Sequence, residues 1–316
     1  MDNSSKNSNS NKHGEVIKLR DAKAYTTPLM LRAPFPYRQH NGRSLSVTAG
    51  AWQLTLDSKN GLPYGRYTRL ILAYMTTQAY LRSLDSAIPE EDKRTIPLGD
   101  TFNQFLTNIG LTKRSTPSGK TIKLVREQLW RISTTQITVE RRIKGRDTGV
   151  NFRFVARYDY QYSKNPDQQQ LFQSHIRLTQ DFYDEVAAKG VPFDLNILAR
   201  LRKPVSMDFY LWATYEVFRQ SPHGGVRKTW SELREMFGSE YSDNPNSIKK
   251  FRHNFRKAVE DVASLWQGFK YVLDKDGLYL PPQRPSITPI NENKQDVRNK
   301  IIESLKLAGE QGEYRD

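Results

Sequence analysis

With 316 residues, the chain is long enough for two cores of ordinary size, since single domains usually run to ~100–200 residues; one domain plus tails is the competing count. It carries 49 Lys and Arg against 34 Asp and Glu, a net charge of +15, and this excess favours a polyanionic partner, nucleic acid or an anionic membrane. It holds no cysteine, which removes disulfides, thiolate zinc sites and cysteine nucleophiles. The 37% hydrophobic content with 11% aromatics argues for folded cores, and the mean hydropathy of −0.73 for much polar surface.

Residues 1–24 are rich in Asn, Ser and Lys without periodicity and read as a disordered arm, because such a composition buries too little apolar area to offset chain entropy. The arm has no apolar segment of the signal-peptide kind, and no stretch reaches the ~18 apolar residues of a spanning helix, so the protein is expected to stay where it is made.

The same order of elements is then legible twice. In the first copy, Tyr67 to Leu81 predicts a helix with Leu70, Ile71, Tyr74, Met75 and Ala79 on one face. A short charged loop leads to the extended Thr95-Ile96-Pro97-Leu98. Asp100 is the expected N-cap of a second helix carrying Phe102, Phe105, Leu106 and Ile109, which Gly110 ends. A third helix is expected from about Gly119 to Ser133 on the stripe Ile122, Val125, Leu129 and Ile132. Residues 136–140 and 150–155 read as a hairpin whose tip, 141–149, is basic.

A connecting region around Gln168 to Gln170 follows, then a strand at Leu171 to Leu178 and two lead-in helices through Arg202. In the second copy, Val205 to Arg219 is an aromatic-rich helix, Gly225 to Lys228 a short strand, and Thr229 with Glu232 a capping box opening a helix that Gly238 stops. The third helix, from about Asn246 to Trp266, repeats Ile248, Phe251, Phe255, Val259, Val262 and Trp266 at three and four residue steps. Two short strands around Asp274-Lys275-Asp276 make a second hairpin. Helix, strand, helix, helix, hairpin is the order of a winged helix-turn-helix, in which the third helix enters the major groove and the wing touches backbone. The fold class expected is therefore α+β, two tandem winged helix-turn-helix domains at 25–165 and 166–286, with flexible tails at 1–24 and 287–316. The C-terminal tail carries five basic and six acidic residues, so residues 1–286 hold +16.

The candidate DNA-binding residues are the cations of the third helices and the first wing. In the second copy they are Lys249, Lys250, Arg252, His253, Arg256 and Lys257, with no acid between 246 and 257. Cations near a helix N-terminus oppose the dipole, so their concentration there points to an anionic partner; the alternative is an ordinary solvated face. In the first copy they are Lys113, Arg114, Lys120, Lys123, Arg126 and Arg131, with Arg141, Arg142, Lys144 and Arg146 on the wing. Long cations neutralise phosphates, and Arg252, His253 and Asn254 carry side chains of the kind that reads base edges.

Enzyme signatures are scarce. Gly119-Lys120-Thr121 lacks the glycine that a phosphate loop needs at position 114, which is Arg114. The five histidines form no closely spaced pair suited to a metal-dependent nicking centre, and no recombinase-type Arg, His, Arg, Tyr set is legible. No catalytic residue, metal or cofactor is expected.

The run Gly61-Leu62-Pro63-Tyr64-Gly65-Arg66-Tyr67-Thr68-Arg69-Leu70-Ile71-Leu72-Ala73-Tyr74, followed by 98–106 (LGDTFNQFL), resembles the plasmid-encoded RepA-type replication initiators of iteron plasmids. The resemblance spans about Thr26 to Pro281. It implies tandem winged-helix domains, binding of repeated duplex sites at a plasmid origin, help in loading the host initiator and helicase, a monomer–dimer equilibrium through the N-terminal domain, repression of the protein's own gene, and a bacterial cytoplasmic location. It assigns DNA reading to Lys120 through Arg131 and Lys249 through Lys257, and gives Gly61 to Leu70 a core or dimer-surface role. A transcriptional regulator, a nicking or joining enzyme, and a basic protein coating nucleic acid without preference stay open as alternatives.

Overall fold

A computed structural model describes residues 16, 22–32, 35–49, 52–99, 101–111, 118–143, 146–160, 174–219 and 224–287. In chain order the elements are β1 (Lys23–Thr26), α1 (Pro28–Arg32), β2 (Ser44–Ala49), β3 (Trp52–Ser58), α2 (Gly65–Leu84), α3 (Glu90–Lys93), β4 (Thr95–Pro97), α4 (Phe102–Asn108), α5 (Gly119–Thr134), β5 (Thr135–Ile143), β6 (Arg146–Arg153), β7 (Val155–Asp159), β8 (His175–Leu178), α6 (Gln180–Ala188), β9 (Val191–Asp194), α7 (Leu195–Arg200), α8 (Pro204–Arg219), β10 (Val226–Thr229), α9 (Trp230–Phe237), α10 (Pro245–Ala263), β11 (Val272–Leu273) and β12 (Gly277–Leu280). The fold mixes α and β as expected, and the repeated order is present: α2, β4, α4, α5 and the β5–β6 hairpin, then α8, β10, α9, α10 and the β11–β12 hairpin. Among the described residues no helix is long and apolar enough to cross a membrane.

The helices start where local chemistry lets them. Ser118 caps α5 by accepting from the Thr121 amide at 3.3 Å, and Asn244 caps α10 by accepting from the Ser247 amide at 2.8 Å, with Pro245 in the first turn. The cap of α4 is Thr101, which accepts from the Gln104 amide at 3.0 Å; the expected cap, Asp100, lies outside the described residues.

Several expectations are corrected. The β5–β6 hairpin is part of a four-stranded antiparallel sheet ordered β2-β3-β5-β6, whose first two strands lie outside the expected element order. The two lead-in helices to the second copy are present as α6 and α7, with a further strand, β9, between them. The strand expected at Leu171 to Leu178 is described from His175, residues 171–173 lying outside the described set. This strand, β8, pairs with both β4 and β7, so one sheet joins segments from either side of residues 165–166.

The units also interlock elsewhere. Strand β1 pairs antiparallel with β9, Ala24 opposite Phe193, and Tyr25 is fixed to α2 by its amide donating to Thr77 Oγ1 at 2.8 Å. Helix α2 was expected to be amphipathic, yet its side chains are buried from Thr68 to Tyr80 without a break. It lies centrally, against β1, α5, α6 and α8, and no face remains for water.

Its polar residues are therefore paired. Arg66 donates to the Leu201 carbonyl at 3.1 Å and the Ala199 carbonyl at 2.5 Å, satisfying the end of α7. Arg69 makes a two-pronged bond to Asp208 on α8, at 3.0 and 2.7 Å, and donates to the carbonyls of Pro36, Gly65 and Phe35. The segment from Gly61 to Leu70 thus forms the joint between the two units.

Candidate nucleic-acid interface

Helix α10 divides cleanly. Phe251, Phe255, Ala258, Val259 and Val262 are buried. Phe255 packs edge-on to Phe209 of α8 at 5.4 Å and against Phe237 of α9 at 5.3 Å. The opposite side exposes Lys249, Lys250, Arg252, His253, Arg256 and Lys257, so all six second-copy candidates share a solvent-facing surface. No acid occurs from 244 to 259 to neutralise them locally.

Two of these cations are held in place. The guanidinium carbons of Arg252 and Arg256, one helical turn apart, lie 5.4 and 5.3 Å from the centre of the Trp230 ring. Trp230 is in turn tied to the β11–β12 hairpin: its Nε1 donates to the Asp274 carbonyl at 3.1 Å and its amide to the Asp276 carbonyl at 3.2 Å. The hairpin turn is closed by Asp274 Oδ1, which accepts from the amides of Asp276 and Gly277 at 2.8 and 3.0 Å, and these bonds hold its carboxyl below the ordinary range. Only glycine fits at 277, where a Cβ would stand 2.0 Å from the Lys228 carbonyl oxygen and φ is +155°.

At the start of α9 the expected capping box is present. Thr229 Oγ1 accepts from the Glu232 amide at 3.3 Å, and Glu232 Oε2 accepts from the Thr229 amide at 2.8 Å. That backbone bond, followed by Lys228, holds the Glu232 carboxyl below its usual value. A value depressed in the folded state gives stability that is present above the unfolded value and lost as pH falls through the folded one. Glu232→Ala is expected to lower Tm at neutral pH, and the difference from the parent protein to shrink below about pH 4; a constant difference across a pH series of thermal melts would contradict this.

The first unit distributes its candidates less uniformly. Lys120 and Lys123 are exposed in the N-terminal half of α5. Arg126 is half-buried, with its guanidinium 4.8 Å from the centre of the Phe102 ring. Arg131 is a correction: it is buried, donates to the Leu62 carbonyl at 2.9 Å, pairs with Glu127 at 2.7 Å and lies over the Tyr64 ring. It anchors the Gly61–Tyr64 segment to α5 and, buried there, does not reach a phosphate on the surface. Arg141 is half-buried on β5 opposite Trp52. Arg142 and Arg146 stand on paired strands, opposite Asp147 and Ile143, with side chains outside the described set. Lys113, Arg114 and Lys144 lie outside the described residues.

Sequence reasoning missed Trp230 as the support of the arginine pair. It also missed Arg227, which lies over the Tyr279 ring at 5.3 Å and 3.7 Å from Asp274. Arg227 is exposed on β10, and no local pattern in the sequence marks its neighbours.

The family described as plasmid-encoded RepA protein matches residues 62–231. Among solved structures, a selenomethionine crystal structure of domains 2 and 3 of RctB shares the fold, with 14% identity and a TM-score of 0.51 over 80% of this chain and 94% of that one. A second crystal structure of RctB domains 2-3 matches 79% of this chain and 94% of that one at 13% identity, with a TM-score of 0.41. No curated protein matches the chain significantly.

Proposed function

The chain belongs to the plasmid-encoded RepA protein family, and from that membership we propose that it is a replication initiator that binds repeated duplex sites at its plasmid's origin. Both units read DNA in the winged-helix manner, α5 and α10 lying in major grooves and the hairpins resting on backbone. The observation that carries the reading is the α10 surface, where six candidate side chains are exposed together, two of them braced by an indole that also bonds the wing turn. Phosphate neutralisation supplies affinity and a few side chains supply specificity.

In this reading the protein acts by binding and assembly, with no catalytic residue and no cofactor. It recruits the host initiator and helicase in the bacterial cytoplasm, exchanges between monomer and dimer, and represses its own gene. On the first unit the exposed contacts are Lys120 and Lys123, joined by the wing cations.

The test is titration of the full chain against its origin fragment and a shuffled duplex over a range of salt, with competitor DNA. A specificity ratio in the range of ~10³–10⁷ with stepwise occupancy of the repeats supports the proposal. Equal, steeply salt-dependent binding to both duplexes would reduce the protein to a nucleic-acid coat. Divalent-metal-dependent strand cleavage in the same mixtures would replace the initiator reading with that of a nicking enzyme. Specific binding without origin-dependent replication in extract would leave a transcriptional regulator.

A further inference from the structure

The wing sheet of the first unit has a second end, opposite its tip. There Ser44 pairs with Asp57, Ser58 with Thr135 and Gln136 with Arg153, so the start of β2, the end of β3, the start of β5 and the end of β6 converge. Strand β7 and the last turn of α5 close the sides around a half-open cavity of about 540 Å³. Volumes of ~300–1,000 Å³ are typical of small-molecule sites. Thr134 on its wall is fourteen residues from Lys120, roughly 20 Å along the helix at 1.5 Å per residue, so the cavity lies at the far end of α5 from the exposed lysines.

Its charge is one-sided. Arg43, Lys59 and Arg153 stand exposed around it, and among the described residues none of the three forms an ion pair. Asp57 is the lone acid of the lining. The rim is fixed by backbone and hydroxyl contacts: the Ser58 amide donates to the Arg43 carbonyl at 2.8 Å, and Ser58 Oγ lies 3.4 Å from Thr134 Oγ1. Tyr158 adds a flat apolar surface. Tyr158 is 42% exposed, and its ring is stacked on that of Tyr160 at 5.0 Å and 24°. Tyr160 is itself held by a 2.5 Å contact between its hydroxyl and Ser133 Oγ.

We propose that this cavity binds a nucleotide, with its phosphate among Arg43, Lys59 and Arg153 and its base on the open face of Tyr158. Three cations around one opening suit a group with several anionic oxygens better than a single carboxylate, which one arginine fork satisfies. The volume leaves room for more than an ion, and a ring backed on one face and open on the other is the usual platform for a base. The nucleotide has two sources, a free nucleoside phosphate or one unit of a single DNA strand, and both present the same chemistry to these residues. The site is separate from the surface assigned to duplex reading and does not depend on it.

The experiment titrates the full-length protein with ATP, with a short labelled oligothymidylate and with inorganic phosphate, in the parent and in Lys59→Glu/Arg153→Glu, Tyr158→Ala and Tyr158→Phe. Saturable binding of ATP or of the oligothymidylate is expected, weakened roughly tenfold or more by the charge reversal and by Tyr158→Ala, and retained by Tyr158→Phe. ATP binding alone identifies the free nucleotide as the source; oligothymidylate binding identifies the strand. Thermal melts confirm that each variant is folded, and duplex binding by the same variants, expected within about twofold of the parent, separates this site from the initiator reading. Phosphate binding as tightly as ATP, affinities unmoved by the substitutions, or no saturable binding of any probe would each overturn the proposal.

Discussion

Asp208→Ala is expected to destabilise the protein by about 3–5 kcal/mol, the loss seen when one partner of a buried ion pair is removed. Arg69 is only 4% exposed, and two of its donors end on Asp208 Oδ1 and Oδ2. Without the carboxylate, its charge would be stranded inside the joint between α2 and α8. The pair is weak evidence of stability in itself, because burial pushes the Asp208 carboxyl up from its usual value and the Arg69 guanidinium only partly offsets this. The double variant Arg69→Met/Asp208→Leu is therefore expected to recover part of the loss, since it strands neither charge but leaves the buried Phe35 and Pro36 carbonyls without their donor. Urea denaturation of the three proteins decides the matter: a loss below about 1 kcal/mol in Asp208→Ala would mean that water reaches the guanidinium.

The largest expected effect on DNA binding lies at the arginine pair of α10. Arg256→Ala or Arg252→Ala is expected to weaken binding to the specific site by about 1–3 kcal/mol where the guanidinium reads a base, and to lower the salt slope by about 1 where it meets a phosphate. Arg256→Lys is the more discriminating change. It keeps the charge and loses the planar group stacked on Trp230, so a loss of specificity at an unchanged salt slope would identify base reading. Lys249→Ala, with no aromatic support, is expected to act through the salt slope alone. All four substitutions fall on exposed positions and leave the apolar stripe of α10 intact. Unchanged affinity in both Lys249→Ala and Arg256→Ala would remove α10 from the interface.

The candidate site was legible to different depths in its two halves. On α10 the apolar residues recur at steps of three and four, so the cations between them had to face outward, and they do. On α5 the same reasoning placed Arg131 with the phosphate contacts. Its aliphatic stem and guanidinium instead lie under the Leu62-Pro63-Tyr64 segment, which supplies a carbonyl and a ring, while Glu127 supplies a carboxylate. A helical wheel marks the face an arginine leaves from but not what another segment brings to meet it. The resemblance at Gly61 to Leu70 pointed to a structural role, and the structure gives that role a location at the contact between units.

Local chemistry is enough to read the order of helices and hairpins, the capping box at Thr229 and Glu232, the hairpin turn at 274–276 and the basic surface of α10. Each depends on residues within a turn or two of one another, where spacing, caps and turn residues act directly. The burial of α2 on all sides, the pairing of β1 with β9, the sharing of β8 and the cavity at the end of the four-stranded sheet depend on tertiary contacts. Arg69 and Asp208 are 139 residues apart, and the strands β1 and β9 meet across most of the folded chain. A polar side chain near an apolar stripe has one set of neighbours in its own helix and another brought by the fold; periodicity carries information only about the first.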